Sequence, residues 1–214
     1  TRLSPPRSYA TTTFGWFWWI RSKVFTQVSF ELPDNGSDCT FCSIVAGKAE
    51  ANWETRPSGE SAVACFHNRL NWVRVMLLVV PTQHMTQQEI WTSEVLGEAA
   101  EMAVDMGDAH CSEEGYRIIS NFGLQAHQSQ LHAHIHVISG TSRLLETGNE
   151  KSNLSVDNEF SVDEFEVDET PFAARISPTT AQSQREMWKS DQFNGAASTA
   201  FRTAETYSPN GFRF

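Results

Sequence analysis

The sequence predicts an α+β chain, a mostly antiparallel sheet with packed helices, followed by a partial, diverged repeat of the same unit. Three observations predict it. Two apolar runs suited to strands precede a long amphipathic stretch suited to a helix. A run of alternating histidines follows a further strand-like segment. A stretch near residue 180 reproduces the start of the helical stretch at a fixed offset.

Residues 61–66 (SAVACF) and 73–80 (VRVMLLVV) read as strands. The second is almost continuously apolar, which predicts burial on both faces, and Pro81 ends it. Thr86-Gln87-Gln88-Glu89 is a capping box, in which the Thr hydroxyl and the Glu carboxylate each satisfy a backbone N–H at a helix start. Trp91, Val95, Ala99, Met102 and Met106 then recur every three or four residues, which places them on one apolar helix face. Residues 115–121 read as the next strand and 130–138 as another, so a compact domain spans 38–140.

Residues 178–190 (PTTAQSQREMWKS) align on residues 81–93 (PTQHMTQQEIWTS) at an offset of 97. Ser183 and Glu186 repeat the capping box, and Ala196-Ala197 fall on Ala99-Ala100. With one residue deleted, Gly211-Phe212-Arg213-Phe214 falls on Gly115-Tyr116-Arg117-Ile118. A partial second copy is expected over 171–214, stopping where its own histidine strand would begin. It carries Ala181 where the first copy has His84, and no C-x-x-C or histidine accompanies it, so the same site cannot form there. Residues 141–170 read as an acidic linker, although the interleaved Phe160, Val162, Phe165 and Val167 also suit a strand with a charged face. Residues 1–37 read as a poorly ordered leader, with an interfacial anchor at its aromatic stretch as the alternative.

The formal net charge is −10, of which nine acidic and two basic residues in 139–172 supply −7. That leaves no broad basic surface, so a small-molecule substrate fits and a nucleic acid polymer does not. No segment is long enough to span a membrane. Four cysteines, two of them in a C-x-x-C, point to a reducing compartment and a cytoplasmic protein.

His132-Ala-His134-Ile-His136 carries the chemistry. On a strand, alternate side chains share a face, so three imidazoles line one side about 6.6 Å apart, with Ala133, Ile135 and Val137 opposite. Such a row can bind a metal, or it can hold a phosphate and attack it. A neutral imidazole is a nucleophile and a neighbouring one a donor to phosphate oxygens or a leaving group. Separately, Cys39 and Cys42 offer two thiolates at a spacing found in tetrahedral zinc sites and in redox pairs, and His84 and His132 are candidates to complete a metal set.

Cys39-x-Phe-Cys42-x-Ile44, Pro81-x-x-His84, Gly115-Tyr-Arg before Asn121, and Gln128-Ser129-x-x-His132-x-His134-x-His136 occur in that order. Together they resemble the histidine-triad (HIT) family of nucleotide hydrolases and transferases, in its zinc-containing branch, over about residues 38–140. The resemblance implies a HIT-like fold, commonly a homodimer, and a nucleotide or dinucleoside polyphosphate substrate. His134 would attack the α-phosphate and form a nucleotidyl-histidine, with His136 and Ser129 on the phosphate. Ile44, Asn68, Asn121 and Gln128 would contact the nucleotide, and Cys39, Cys42, His84 and His132 would hold a structural zinc. A nucleotide-binding regulatory module with little turnover is the alternative, as is a catalytic metal held by the triad itself. This chain departs from the family pattern at His127, where glycine is usual before Gln-Ser, at Asn68, where a ribose-binding aspartate is common, and at Val75-Met76, where Gly-His is common.

Overall fold

A computed structural model describes residues 39–111, 115–139, 149–155, 160–167, 170–178 and 183–214; the leader read at 1–37 lies outside them. Helix α1 (Thr40–Val45) is followed by strands β1 (Trp53–Thr55), β2 (Val63–His67) and β3 (Val75–Pro81). Helices α2 (Gln87–Trp91) and α3 (Val95–Cys111) lead to β4 (Arg117–Ile119), β5 (Asn121–Phe122), a 3-10 turn at Leu124–Ala126 and β6 (Ile135–Ser139). The sheet order is β1-β2-β3-β6-β4, and every neighbouring pair is antiparallel. Helices on an antiparallel sheet make this the α+β class that the sequence predicts.

Strand β3 is apolar throughout because both of its faces are covered. Val75, Leu77 and Val79 join Val63, Cys65, Ile135 and Val137 in the core beneath α3. Leu78 and Val80 join Phe66, Phe41 and Ile44 in a second cluster on the other face, which α1 covers. The period of two in β6 therefore separates Ile135 and Val137 from His134 and His136, and Leu78 stands opposite His136 in register.

The helical stretch is two helices rather than one. Thr86 caps α2 with its full capping box. Thr92 Oγ1 then donates to Gln88 O and Glu89 O, and Ser93 Oγ donates to Ile90 O. These hydroxyls satisfy carbonyls that a continuing helix would use, so α2 ends there. The most buried face of α3 is consequently Leu96, Ala99, Ala100, Ala103, Val104, Gly107 and Cys111, while Val95, Met102 and Met106 only flank it. The strand expected over 115–121 also divides. β4 pairs with β6, whereas β5 turns to pair with another strand.

That other strand belongs to the second half of the chain. Strands β7 (Asn149–Ser155), β8 (Phe160–Val167) and β9 (Thr170–Pro178) form an antiparallel sheet, followed by α4 (Gln184–Trp188), α5 (Gln192–Tyr207) and β10 (Phe212–Arg213). Most of the stretch read as an acidic linker at 141–170 is thus strand. Net charge does not oppose strand formation, and the period-two apolar residues of the sequence favour it. The offset of 97 extends into this region: β8 starts at 160 as β2 starts at 63, and β9 ends at 178 as β3 ends at 81. Helices α4 and α5 start at 184 and 192, as α2 and α3 start at 87 and 95. Ser183 rebuilds the same capping box. Met187, Phe193, Ala196, Ala197, Ala200 and Phe201 complete the core begun by α3 and Trp91, so the two halves share one apolar interior.

Candidate functional site

Two adjoining constellations meet at the triad. In the first, Cys39 is the N-cap of α1, and its Sγ accepts from Cys42 N at 3.4 Å. The short helix therefore turns both thiols to one side. Cys42 Sγ lies 3.2 Å from His84 Nδ1 and 3.4 Å from His132 Nδ1, and Cys39 Sγ lies 3.4 Å from His132 Nδ1. All four ligand atoms fall within 4.8 Å of one another. A tetrahedral zinc with ordinary Zn–S and Zn–N bonds has S···N edges of about 3.5 Å, so the donor set is of the right kind and nearly the right size. His132 is buried, and its Nε2 lies 2.9 Å from Pro81 O. A proton on Nε2 donated to that carbonyl leaves Nδ1 as the ligand nitrogen. Burial, then the neighbouring Cys39, push the Cys42 thiol up to about 11, and burial chiefly pulls His132 down to about 4. A cation among these groups reverses the first tendency, because a coordinated thiol is deprotonated.

In the second constellation, His134 Nδ1 lies 2.9 Å from His132 O. Donation to that carbonyl puts the proton on Nδ1 and the lone pair on Nε2. His134 is buried, and burial lowers its pKa, so the ring is neutral near pH 7. Its ring meets His136 edge-on with centroids 4.9 Å apart, and Phe41 packs edge-on against both His132 and His134. His136 is lowered to about 3, mainly by burial and further by the positive charge of Arg213.

His134 and His136 line a cleft of about 1800 Å³ together with Ser129, Asn121, Asn68 and Ile44. Its apolar wall comes from Phe41, Trp53, Phe66 and Leu78, and Trp72 stands exposed at its mouth. Asn68 Oδ1 accepts from Leu70 N at 3.0 Å and closes a local turn. Gln128 does not line the cleft. Its Oε1 accepts from Gly123 N at 2.7 Å and its Nε2 donates to Gln130 O at 2.9 Å, so it braces the loop that carries Ser129. His127 sits in that loop with φ of 63°, the left-handed conformation that glycine adopts without penalty.

Two residues at the site were not legible in the motifs. Gln87, buried at the start of α2, donates from Nε2 to His134 O at 2.8 Å and accepts at Oε1 from His134 N at 3.2 Å. It also donates to Ser120 Oγ, which in turn accepts from Trp91 Nε1. Its place inside the capping box, one residue after the cap, was the available signal. Arg213 reaches the same cleft from β10, and its Nε donates to Asn121 Oδ1 at 2.6 Å. Among the described residues, no helix is long and apolar enough to cross a membrane.

Residues 60–143 match the family model described as the HIT domain. An uncharacterized HIT-like protein of Chlamydia muridarum is 35% identical over 69 residues, covering 31% of this chain and 55% of that protein. One from Chlamydia trachomatis is 36% identical over 69 residues, covering 31% and 62%. The chain thus spans a little over half the length of these curated relatives. Among solved structures, a HIT family hydrolase from Legionella pneumophila has a TM-score of 0.44 at 23% identity, over 50% of this chain and 96% of that one. A Zn-bound histidine triad family protein from Mycobacterium smegmatis has a TM-score of 0.38 at 17% identity, over 79% and 99%.

Proposed function

We propose that the HIT domain carried by this chain cleaves or transfers at the α-phosphate of a nucleotide conjugate, with His134 as the nucleophile. One observation carries the reading: His134 is neutral, holds its Nδ1 proton on His132 O, and presents Nε2 in a cleft with Ser129 and His136. Nε2 attacks phosphorus, the P–O or P–N bond to the leaving group breaks, and the leaving group takes any proton it needs from solvent, which the water of the second step returns. Water then cleaves the P–N bond to His134, releasing the nucleoside monophosphate and restoring the neutral ring. Ser129 and His136 act as neutral hydrogen-bond donors to the phosphate oxygens. The apolar wall of the cleft suits a base, and Asn68 and Asn121 suit the sugar and phosphate.

Cys39, Cys42, His84 and His132 would hold zinc in a structural role, since four protein ligands fill the tetrahedron and leave no position for substrate. The metal would anchor α1 to the strand that presents His134 and would take no part in bond breaking. The test is turnover across a panel of dinucleoside polyphosphates and adenosine phosphoramidate. Release of nucleoside monophosphate by the native chain, and its loss in His134→Ala, is the expected result. Equal turnover by both proteins removes His134 from this role.

A further inference from the structure

Strand β10 lies antiparallel to β5, with Arg213 opposite Asn121 and Phe212 opposite Phe122. Ser120 and Phe214 exchange both backbone hydrogen bonds at 2.9 Å. The approach is close enough to require glycine on both sides: a Cβ on Gly211 would meet Phe122 O at 2.9 Å, and one on Gly123 would meet Asn210 O at 2.9 Å. Phe122 stacks on Phe212 and Trp91 stacks on Phe214, with centroids 4.4 and 4.3 Å apart. The second copy is therefore fixed against the edge of the first at the rim of the cleft.

What this delivers to the cleft is a guanidinium. Arg213 Nε donates to Asn121 Oδ1 at 2.6 Å, and its Nη2 donates to Ala126 O at 3.1 Å. These two bonds set the plane of the fork. Arg213 lines the cleft alongside His134, His136 and Ser129. Imidazole and hydroxyl groups can polarise a phosphate, whereas a rigid planar guanidinium balances its charge with directed N–H groups.

We propose that Arg213, supplied by the second copy, is an anion-binding residue of the first copy's site and engages the phosphate oxygens of a nucleotide held at His134. The inference rests on the nucleotide reading above and adds to it a role for the repeat: the second half of the chain completes the first half's site.

The test is calorimetric binding of two probes, AMP and adenosine, to the full chain and to Arg213→Gln. The native chain should bind AMP more tightly than adenosine. Arg213→Gln should weaken AMP roughly 10- to 100-fold, the usual worth of a charge-assisted hydrogen bond, and leave adenosine unchanged. Arg213→Lys keeps the charge without the fork and should lose a smaller factor for AMP, which serves if the glutamine variant does not fold. Unchanged AMP affinity in these variants, or equal losses for AMP and adenosine, overturns the proposal, the second result showing that Arg213 only fastens β10 to β5. Failure of the native chain to bind either probe removes the nucleotide site itself, and the proposal with it.

Discussion

Gln87 grips His134 by both backbone polar groups, accepting from its N–H at 3.2 Å and donating to its C=O at 2.8 Å. One side chain thereby holds the candidate nucleophile from 47 residues away. Gln87→Leu keeps the volume and removes both bonds, leaving a buried N–H and C=O without that partner. We expect a loss of about 2–4 kcal/mol in stability, read from urea unfolding. Turnover should fall roughly 100-fold through misplacement of the ring. A variant with native turnover would show that the strand holds His134 in place without this clamp.

The zinc assignment makes a separate prediction. The purified chain should contain one zinc per molecule by elemental analysis, and Cys42→Ser should contain far less. Chelation should lower the melting temperature by roughly 5 °C or more, because the metal adds bonds from α1 to His84 and His132 beyond the apolar packing of Phe41 and Ile44. His136→Asn should keep its zinc. Loss of metal from that variant, with retention in Cys42→Ser, would place the ion on the triad instead.

Acid sensitivity follows from His136. Burial first, then the charge of Arg213, hold it at about 3 in the folded chain. In the unfolded chain it titrates near 6.5, so between those values only the unfolded state binds the proton. Stability is therefore undiminished by this group above about pH 6.5 and declines as pH falls toward 3. The slope is at most about 1.4 kcal/mol per pH unit, or about 2 kcal/mol between pH 6.5 and pH 5. His136→Asn should lose less stability than the native chain over that range. Parallel losses in urea midpoint would contradict a neutral His136 in the folded chain.

The sequence motifs reached much of this site because their chemistry is local or strictly ordered. The alternation of His132, His134 and His136 with Ala133, Ile135 and Val137 reads directly as two faces of a strand, and the structure separates them that way. Cys39 and Cys42 converge with His84 and His132 as their spacing and order suggested. The helix start at Thr86 was legible because a capping box is a short-range device. Its break after Trp91 was not, because Thr92 and Ser93 look compatible with a helix until their hydroxyls are seen on the preceding carbonyls. Gln87 and Arg213 were hidden for another reason. Each acts across a long sequence separation, and only the packing of α2 and β10 against β5 brings them to the histidines. Gln128 is placed differently from what its position beside Ser129 suggested, because its amide bonds to the loop backbone at Gly123 and Gln130.

The most direct test of the account is to trap the covalent intermediate. The native chain is mixed with a dinucleoside polyphosphate labelled in its α-phosphates, quenched in alkali, where a phosphorus–nitrogen bond to histidine survives, and mapped by mass spectrometry. One nucleotidyl group on His134, and none in His134→Ala, is the predicted result. Turnover without a labelled histidine, or a label on any residue other than His134, would contradict it.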